Sequence, residues 1–415
     1  MSERPHGRSA PEDRPARLVD RESFDGRFPG LQVLTEDPEN AEMADRAFDQ
    51  LLTTRASHYV RSHYPVPDLD GEDWTVSLTG TLEEADLSMR ALREEYPTET
   101  VAHTMECSGN GRSAFEPDAE GHQWTVGAVG TALWTGTPVS AVLEAHDADT
   151  SDGMWLSVVG ADAPEGEDAY CRSVPVEKVA DDALLAYEMN GLPLTPEHGY
   201  PVRLLVPGWF GNNSVKWVER LHLMDSMVTG DELPPGHAHY QQESYRIRPD
   251  SDEEVTYHET LSTYDTQAQL DGDEVRHAYL LDQLPKAAIG TPADGASVPP
   301  GQTTIRGVAW GGEDPVERVE VSTDGGASWD AASLADPALG RYAWRRFRYR
   351  WDATPGDHDL LARAVTADGR GQPERVAAPD EGPLAITDET YPWNYKGYGN
   401  NAYRTYGVRV TVEDD

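Results

Sequence analysis

Apolar and polar positions alternate along the last third of the chain. In RVEVSTDGGASW, Val319 and Val321 fall on one face ahead of an Asp-Gly-Gly turn signal. In RRFRYRW, Phe347, Tyr349 and Trp351 alternate with Arg346, Arg348 and Arg350, so a strand there has an aromatic face and a basic face. GVRVTVED places Val408, Val410 and Val412 together. From residue 285 to 415 this pattern predicts an all-β, immunoglobulin-like sandwich, although the paired cysteines of antibody domains are missing. Residues 55–247 mix strand-like and helix-like stretches with many Gly and Pro turns, which predicts an α+β domain. Within it, PVRLLVPGWFG (201–211) has an apolar run ended by Pro-Gly, as expected for a buried strand entering a loop. Residues 248–284 are acidic and poor in large aliphatics, the pattern of a surface connector. Residues 1–54 read as an acidic, polar N-terminal extension, with a short amphipathic helix beginning near Asn40. No internal repeat is found.

Length and charge sharpen this picture. A chain of 415 residues exceeds one ordinary core, so two or three domains are expected. Against 74 Asp and Glu stand 34 Lys and Arg, of which only 4 are Lys, giving a formal charge of −40. A charge this large repels itself unless salt screens it, and the Debye length shrinks from about 10 Å at 0.1 M to about 3 Å at 1 M. Disorder is not the reading, because 38% hydrophobic residues with 11 Trp and 18 Tyr suffice for packed cores. The acidity reads instead as adaptation to a salty, halophile-like cytoplasm. No basic stripe exists to neutralise nucleic-acid phosphates. No run of 18 apolar residues predicts a membrane span. The N-terminus shows neither an apolar h-region nor a twin-arginine pair, so a cytoplasmic location is expected. The two cysteines, Cys107 and Cys171, then read as reduced thiols, with Cys171 as buried filler.

Cys107 is the chemical question. In ECSGNGRS (106–113) it lies between small residues, with Gly109 and Gly111 able to let the backbone approach a large ligand closely and Arg112 five positions on. A small buried hydrophobe, a nucleophile served by one of 13 His, and a thiolate ligand of a soft metal all remain open. Zinc and metalloprotease readings fall away, since no Cys-x-x-Cys or His-Glu-x-x-His is present.

ECSGNGRS followed by QWTVGAVGTALWTGTPVSAVLE (123–144) strongly resembles the cysteine segment of the sulfite oxidase family of molybdenum enzymes. YVRSHYPVPDLD (59–70) resembles the family's Arg-x-His-x-Pro-x-Pro segment, and YEMNGLPLTPEHGYPVRLLVPGWFGNNSVKWVERL (187–221) its long central signature. The sandwich with WNYKGYGNNAYRTYGVRV (393–410) resembles its dimerisation domain. The resemblance implies a molybdopterin domain, a homodimer, molybdenum and molybdopterin as cofactors, and oxidation of sulfite to sulfate with electrons passed to a separate acceptor. It implies Cys107 as the metal's thiolate ligand, and Arg61, Arg112, Tyr245 and Lys396 around the substrate anion. It implies that His63, Asp162, Ser173, His198, Arg203, Ser214 and Lys216 hold the pterin and its phosphate.

These residue types suit the task. Molybdenum favours sulfur donors, guanidinium groups offer paired donors to oxyanions, and a phosphate needs cations and backbone N–H groups. Two departures bear on the substrate. Gly111 stands where many members carry arginine, and Lys396 replaces an arginine, keeping the charge but losing the bidentate fork. Reduction of another oxyanion or a sulfoxide, such as nitrate, and a non-catalytic binding role are the alternatives.

Overall fold

The computed structural model describes residues 27–44, 46–225, 245, 280–335, 337–381 and 386–414. The chain opens on a hairpin, β1 (Leu31–Glu36) with β2 (Glu39–Met43), to which β3 (Val60–Arg61) adds antiparallel. A second sheet has the order β5-β4-β13-β8-β9, from β4 (Thr75–Gly80), β5 (Ala85–Ser88), β8 (Trp155–Gly160), β9 (Cys171–Pro175) and β13 (Val218–Met224). A third runs β11-β10-β7-β6, with β6 (Glu99–Glu106), β7 (Val129–Pro138), β10 (Leu184–Met189) and β11 (Leu192–Pro193), and β12 (Arg203–Leu205) also pairs with β10. The helices α1 (Met89–Glu94), α2 (Val139–Ala145) and α3 (Val176–Asp182) are only 6 or 7 residues long. Helices this short are marginal alone, and they are held because Leu92, Val142, Leu143 and Val179 enter the core beside Leu78, Val158 and Leu221. This half of the molecule is therefore mixed α/β but dominated by sheet.

The remaining strands are β14 (Lys286–Thr291), β15 (Ser297–Val298), β16 (Gly301–Trp310), β17 (Val316–Ser322), β18 (Asp330–Ala331), β19 (Ser333–Leu334), β20 (Arg345–Ala353), β21 (Gly356–Thr366), β22 (Arg375–Val376), β23 (Thr390–Tyr391) and β24 (Val408–Val412). They form two larger sheets, β14-β16-β20-β19 and β15-β24-β21-β17-β18, and a small β22-β23 pair. The period-two reading holds. Phe347 and Trp351 meet Val319, Val321, Val408 and Val410 in one core between the sheets, while Arg348 and Arg350 face solvent. Each such side chain contributes roughly 1.5–3 kcal/mol by leaving water. Tyr349 is only half-buried, because its hydroxyl reaches out to Asp330 at 2.7 Å. Gly325 and Gly326 take positive φ in the turn that joins β17 to β18.

Three expectations need correction. The helix expected near Asn40 is strand β2. Pro38 sits in the turn of the hairpin, and Asn40 and Glu42 are buried because they serve as polar anchors, which hides the alternation. From Arg27 onward the expected extension belongs to the body of the protein. Phe48 and Met43 join Trp310, Trp344 and Tyr406 in a core shared with the C-terminal sheets. The connector's last residues are also interior. Leu280, Leu281 and Leu284 are buried, and Gln283 donates to the carbonyls of Thr104 (2.9 Å) and Trp209 (3.1 Å). Residues 1–26 and 248–279 lie outside the described residues.

Candidate active site

Cys107 follows directly on β6, at the point where the chain leaves the sheet. Its N–H donates to Ala128 O and its carbonyl accepts from Asn110 N–H, both at 2.9 Å. Asn110 ties the loop down on both sides, donating to Glu106 Oε1 (3.0 Å) and accepting from Ala128 N–H (3.1 Å). The N-terminal hairpin supports the loop's return. The Glu42 carboxylate accepts from Thr125 N–H, the Thr125 hydroxyl (2.9 Å) and Gly127 N–H (3.2 Å). Gly111 has φ +83, and a Cβ there would lie 3.1 Å from Asn400 Nδ2 and the Tyr406 hydroxyl. The space beside Gly111 therefore receives a loop of the C-terminal region, not a ligand, and an arginine would collide with it. A Cβ at Gly109 would meet the Arg112 guanidinium at 2.7 Å, so that glycine admits Arg112 against the loop.

Cys107 lines a cleft of about 680 Å³ that also receives Arg61, His63, Asp162, His198, Arg203, Ser214, Lys216 and Tyr245. Nine of the twelve residues expected from the sequence thus share one cavity. His58, Tyr59, Tyr170, Glu197, Asn212 and Trp217 line it too and were not foreseen. Glu197 and Asn212 flank residues that were named, and Tyr59 stands two places before Arg61 on a strand-like stretch. Those positions were the available signal.

The other three expected residues do not reach the cavity. Lys396 turns its ammonium outward to Glu120 at 2.9 Å, and only its carbonyl is used at the site, accepting from Arg112 Nε at 2.6 Å. Arg112 is buried beneath the Cys107 loop, donates to His122 O (2.8 Å) and lies over the Tyr398 ring. Ser173 points to the opposite face of β9, where its hydroxyl donates to Ser157 at 3.3 Å in a cluster with Cys171. Strand alternation explains the miss: Tyr170 and Arg172 share the cleft's side, and Ser173 is one residue out of phase.

Three cations, Arg61, Arg203 and Lys216, and two carboxylates, Asp162 and Glu197, line the cavity. Arg203 is buried, donates to the carbonyls of His198 (3.1 Å) and Ser214 (2.8 Å), and faces the Trp134 ring. Lys216 donates to Ser62 Oγ and Glu197 O, both at 2.9 Å. Among the described residues neither cation has a carboxylate within ion-pair distance. Burial pulls Arg203 down to about 10, and burial with the Arg203 charge holds Lys216 well below its usual value. Buried cations without counterions are costly, and an anionic group between them would repay that cost. Among the described residues the buried Ser108 Oγ, Glu197 Oε2 and Asn212 Oδ1 also have no hydrogen-bond partner, as polar walls awaiting a ligand do. Burial raises the Cys107 thiol, while the Gly109 amide and the charges of Arg61 and Arg112 oppose that rise. Among the described residues no cluster of three or more His, Cys, Asp or Glu could hold a metal. Buried cations, orphaned polar atoms and a single thiol fit a phosphate-bearing ligand that brings its own sulfur donors.

The histidines make the cavity acid-sensitive. Burial lowers His58 and His63 to about 4 from 6.5, and holds His198 well below its usual value. A depressed histidine is neutral in the fold, so its contribution is complete above pH 6.5 and is lost as pH falls towards 4. For His58 this is on the order of 3 kcal/mol. Asp162, raised by burial to about 6, works in the opposite sense and offsets roughly one histidine. The denaturant midpoint of the cofactor-free protein should therefore fall between pH 7 and pH 4.5, and His58→Gln should flatten that decline.

Comparison with known proteins agrees with this chemistry. Residues 63–231 match the oxidoreductase molybdopterin-binding domain, and residues 279–412 match the Mo-co oxidoreductase dimerisation domain. The chain is 32% identical over 392 residues to sulfite oxidase of Gallus gallus, covering 89% of this chain and 80% of that protein. It is 31% identical over 384 residues to nitrate reductase [NADH] 2 of Phaseolus vulgaris, covering 87% of this chain and 39% of that protein. The crystal structure of the sulfane dehydrogenase SoxCD from Paracoccus pantotrophus aligns with TM-score 0.72 and 26% identity, over 99% of this chain and 96% of that one. This protein belongs to the sulfite oxidase family and is a molybdopterin-dependent oxidoreductase.

Proposed function

We propose that the Cys107 cleft oxidises sulfite to sulfate and passes two electrons to a separate acceptor, in the balance SO3²⁻ + H2O → SO4²⁻ + 2H⁺ + 2e⁻. The observation that carries this is the sharing of one cavity by Cys107, Arg61 and Tyr245 with the buried cations Arg203 and Lys216. When bound, the molybdenum of the pterin cofactor supplies the two-electron couple and the oxygen-transfer chemistry. Cys107 gives it a thiolate donor. Arg203 and Lys216 neutralise the pterin phosphate, with the Ser214 hydroxyl adding a hydrogen bond. His198 forms a wall of that site, its ring held in place by Nδ1, 2.8 Å from the Thr195 hydroxyl, and Nε2, 3.3 Å from His58 O. Arg61 holds the substrate anion, and the Tyr245 hydroxyl donates to it. Arg112 acts from behind, fixing the loop and adding positive field.

Within this reading, residues 55–247 are the catalytic unit, on which the described residues from 27 onward also pack, and the region from about 280 to 415 is an immunoglobulin-like unit that pairs two copies in a homodimer. No described helix is long and apolar enough to cross a membrane. A cytoplasmic setting of high salt is proposed from the −40 charge. That charge repels a dianion at low ionic strength. Accordingly, kcat/KM for sulfite should climb steeply from low to molar salt at constant fold, measured beside a circular dichroism spectrum. A flat profile removes the steering argument.

The test of function is sulfite-dependent reduction of ferricyanide by the molybdenum-loaded protein in molar KCl. Turnover supports the proposal. Its absence, at one molybdenum per chain, moves the substrate elsewhere. The likeness to a nitrate reductase makes nitrate the first replacement, assayed with a reduced viologen donor.

A further inference from the structure

Behind the cleft, four buried side chains from distant parts of the sequence form a single stack. The Arg172 guanidinium lies 5.5 Å from the centre of the Tyr245 ring. Tyr245 stacks on Tyr398, with centroids 5.1 Å apart and planes 25° from parallel. Arg112 closes the far end, 5.3 Å from the centre of the Tyr398 ring. Arg172 is fully buried. Its Nη2 donates to Asn213 Oδ1 at 3.1 Å, and among the described residues Nε and Nη1 have no acceptor and no carboxylate lies within ion-pair range. The aromatic face is therefore what the Arg172 charge has to interact with.

Tyr398 is fixed more firmly than packing requires. Its N–H donates to Asn394 Oδ1 (2.9 Å), and its carbonyl accepts from Asn394 Nδ2 (3.0 Å) and the Tyr391 hydroxyl (2.8 Å). The next residue, Gly399, donates its N–H to Ser108 O at 2.7 Å, beside Cys107. Tyr245 itself has φ +55, a left-handed conformation that aromatic residues rarely adopt and that persists only where the surroundings impose it.

We propose that Tyr398 and Arg172 are positioning residues for Tyr245, clamping its ring so that the hydroxyl faces the anion in the cleft. This rests on the role assigned to Tyr245 above. The C-terminal region thereby completes the active site through Tyr398, and Arg172 contributes from β9 on the face that Ser173 leaves.

The test uses the molybdenum-loaded full chain, with sulfite kinetics and calorimetric binding of sulfate measured side by side. Tyr398→Ala and Arg172→Met should each raise KM for sulfite and Kd for sulfate by about tenfold, the weight of one lost ring contact. Molybdenum content should not change, and kcat should fall less than KM rises. Tyr398→Phe, which keeps the ring, should restore both constants to within about twofold. If Tyr398→Ala does not fold, Tyr398→Leu, which keeps volume without a π face, decides instead. Unchanged KM and Kd in these variants, with Tyr245→Phe impaired, would overturn the proposal and leave the Tyr245 role standing. A silent Tyr245→Phe removes that role, and the clamp with it.

Discussion

Cys107→Ser should lower sulfite turnover by roughly a thousandfold or more while the protein stays folded and retains its pterin. Outer-shell partners of a metal are worth about 10–100-fold, so loss of the ligand itself should exceed that range. Serine is nearly isosteric, and the loop's conformation is set by backbone bonds: Cys107 N–H to Ala128 O, Asn110 N–H to Cys107 O, and the two bonds of the Asn110 side chain. None of these uses the sulfur. The cations proposed to hold the pterin phosphate, Arg203 and Lys216, are also independent of it. What disappears is a soft donor matched to molybdenum, replaced by a hydroxyl that is a poorer ligand. Ferricyanide reduction, pterin content and circular dichroism on one preparation separate these effects. Full turnover in Cys107→Ser would end the metal-ligand assignment, and joint loss of pterin and fold would mean that the thiol is structural.

How far such a site can be read from sequence depends on the range over which each decision is made. Strands β20 and β24 were legible because their alternation is local and one face meets solvent. Strand β9 is not: all five of its residues are buried, so no polar face marks the phase, and Ser173, assigned to the cofactor through the family resemblance, lies on the face opposite Arg172. The hairpin at Asn40 was misread for the same reason, with buried polar anchors standing where solvent-facing residues would show the period. His198, Arg203, Ser214 and Lys216 were found because they crowd into 19 consecutive residues with a recognisable order. Lys396 was placed in the substrate pocket by its position in a motif. Its partner Glu120, far away in the chain, decides its direction, and nothing local announces that pairing. Gly109 and Gly111, expected to admit a large ligand, instead admit Arg112 and the loop of Asn400 and Tyr406, partners that nothing local announces.

The same logic hides Glu106, whose role depends on partners in the C-terminal sheets. Its carboxylate, fully buried one residue before Cys107, accepts from the Lys286 ammonium, from Asn110 Nδ2 (3.0 Å) and from Trp310 Nε1 (3.0 Å). Lys286 and Trp310 stand directly opposite each other on β14 and β16, so a single register of the C-terminal sheet presents both donors. Burial pulls Lys286 below its usual range and Glu106 pulls it back, while Phe210 and Tyr406 line the ammonium. Removing one member of such a pair leaves the other buried and uncompensated, so Lys286→Met should cost about 3–5 kcal/mol. Adding Glu106→Gln removes the stranded charge while keeping an acceptor for Trp310, and should return most of that loss. Denaturant unfolding of the single and double variants measures the coupling, and molybdenum content reports whether the Cys107 loop feels it. Near-additive costs would show that the ion pair carries no special weight at the junction. Strong recovery in the double variant, with molybdenum lost only in Lys286→Met, would show that the metal ligand is held in place through a charge balance spanning both halves of the chain.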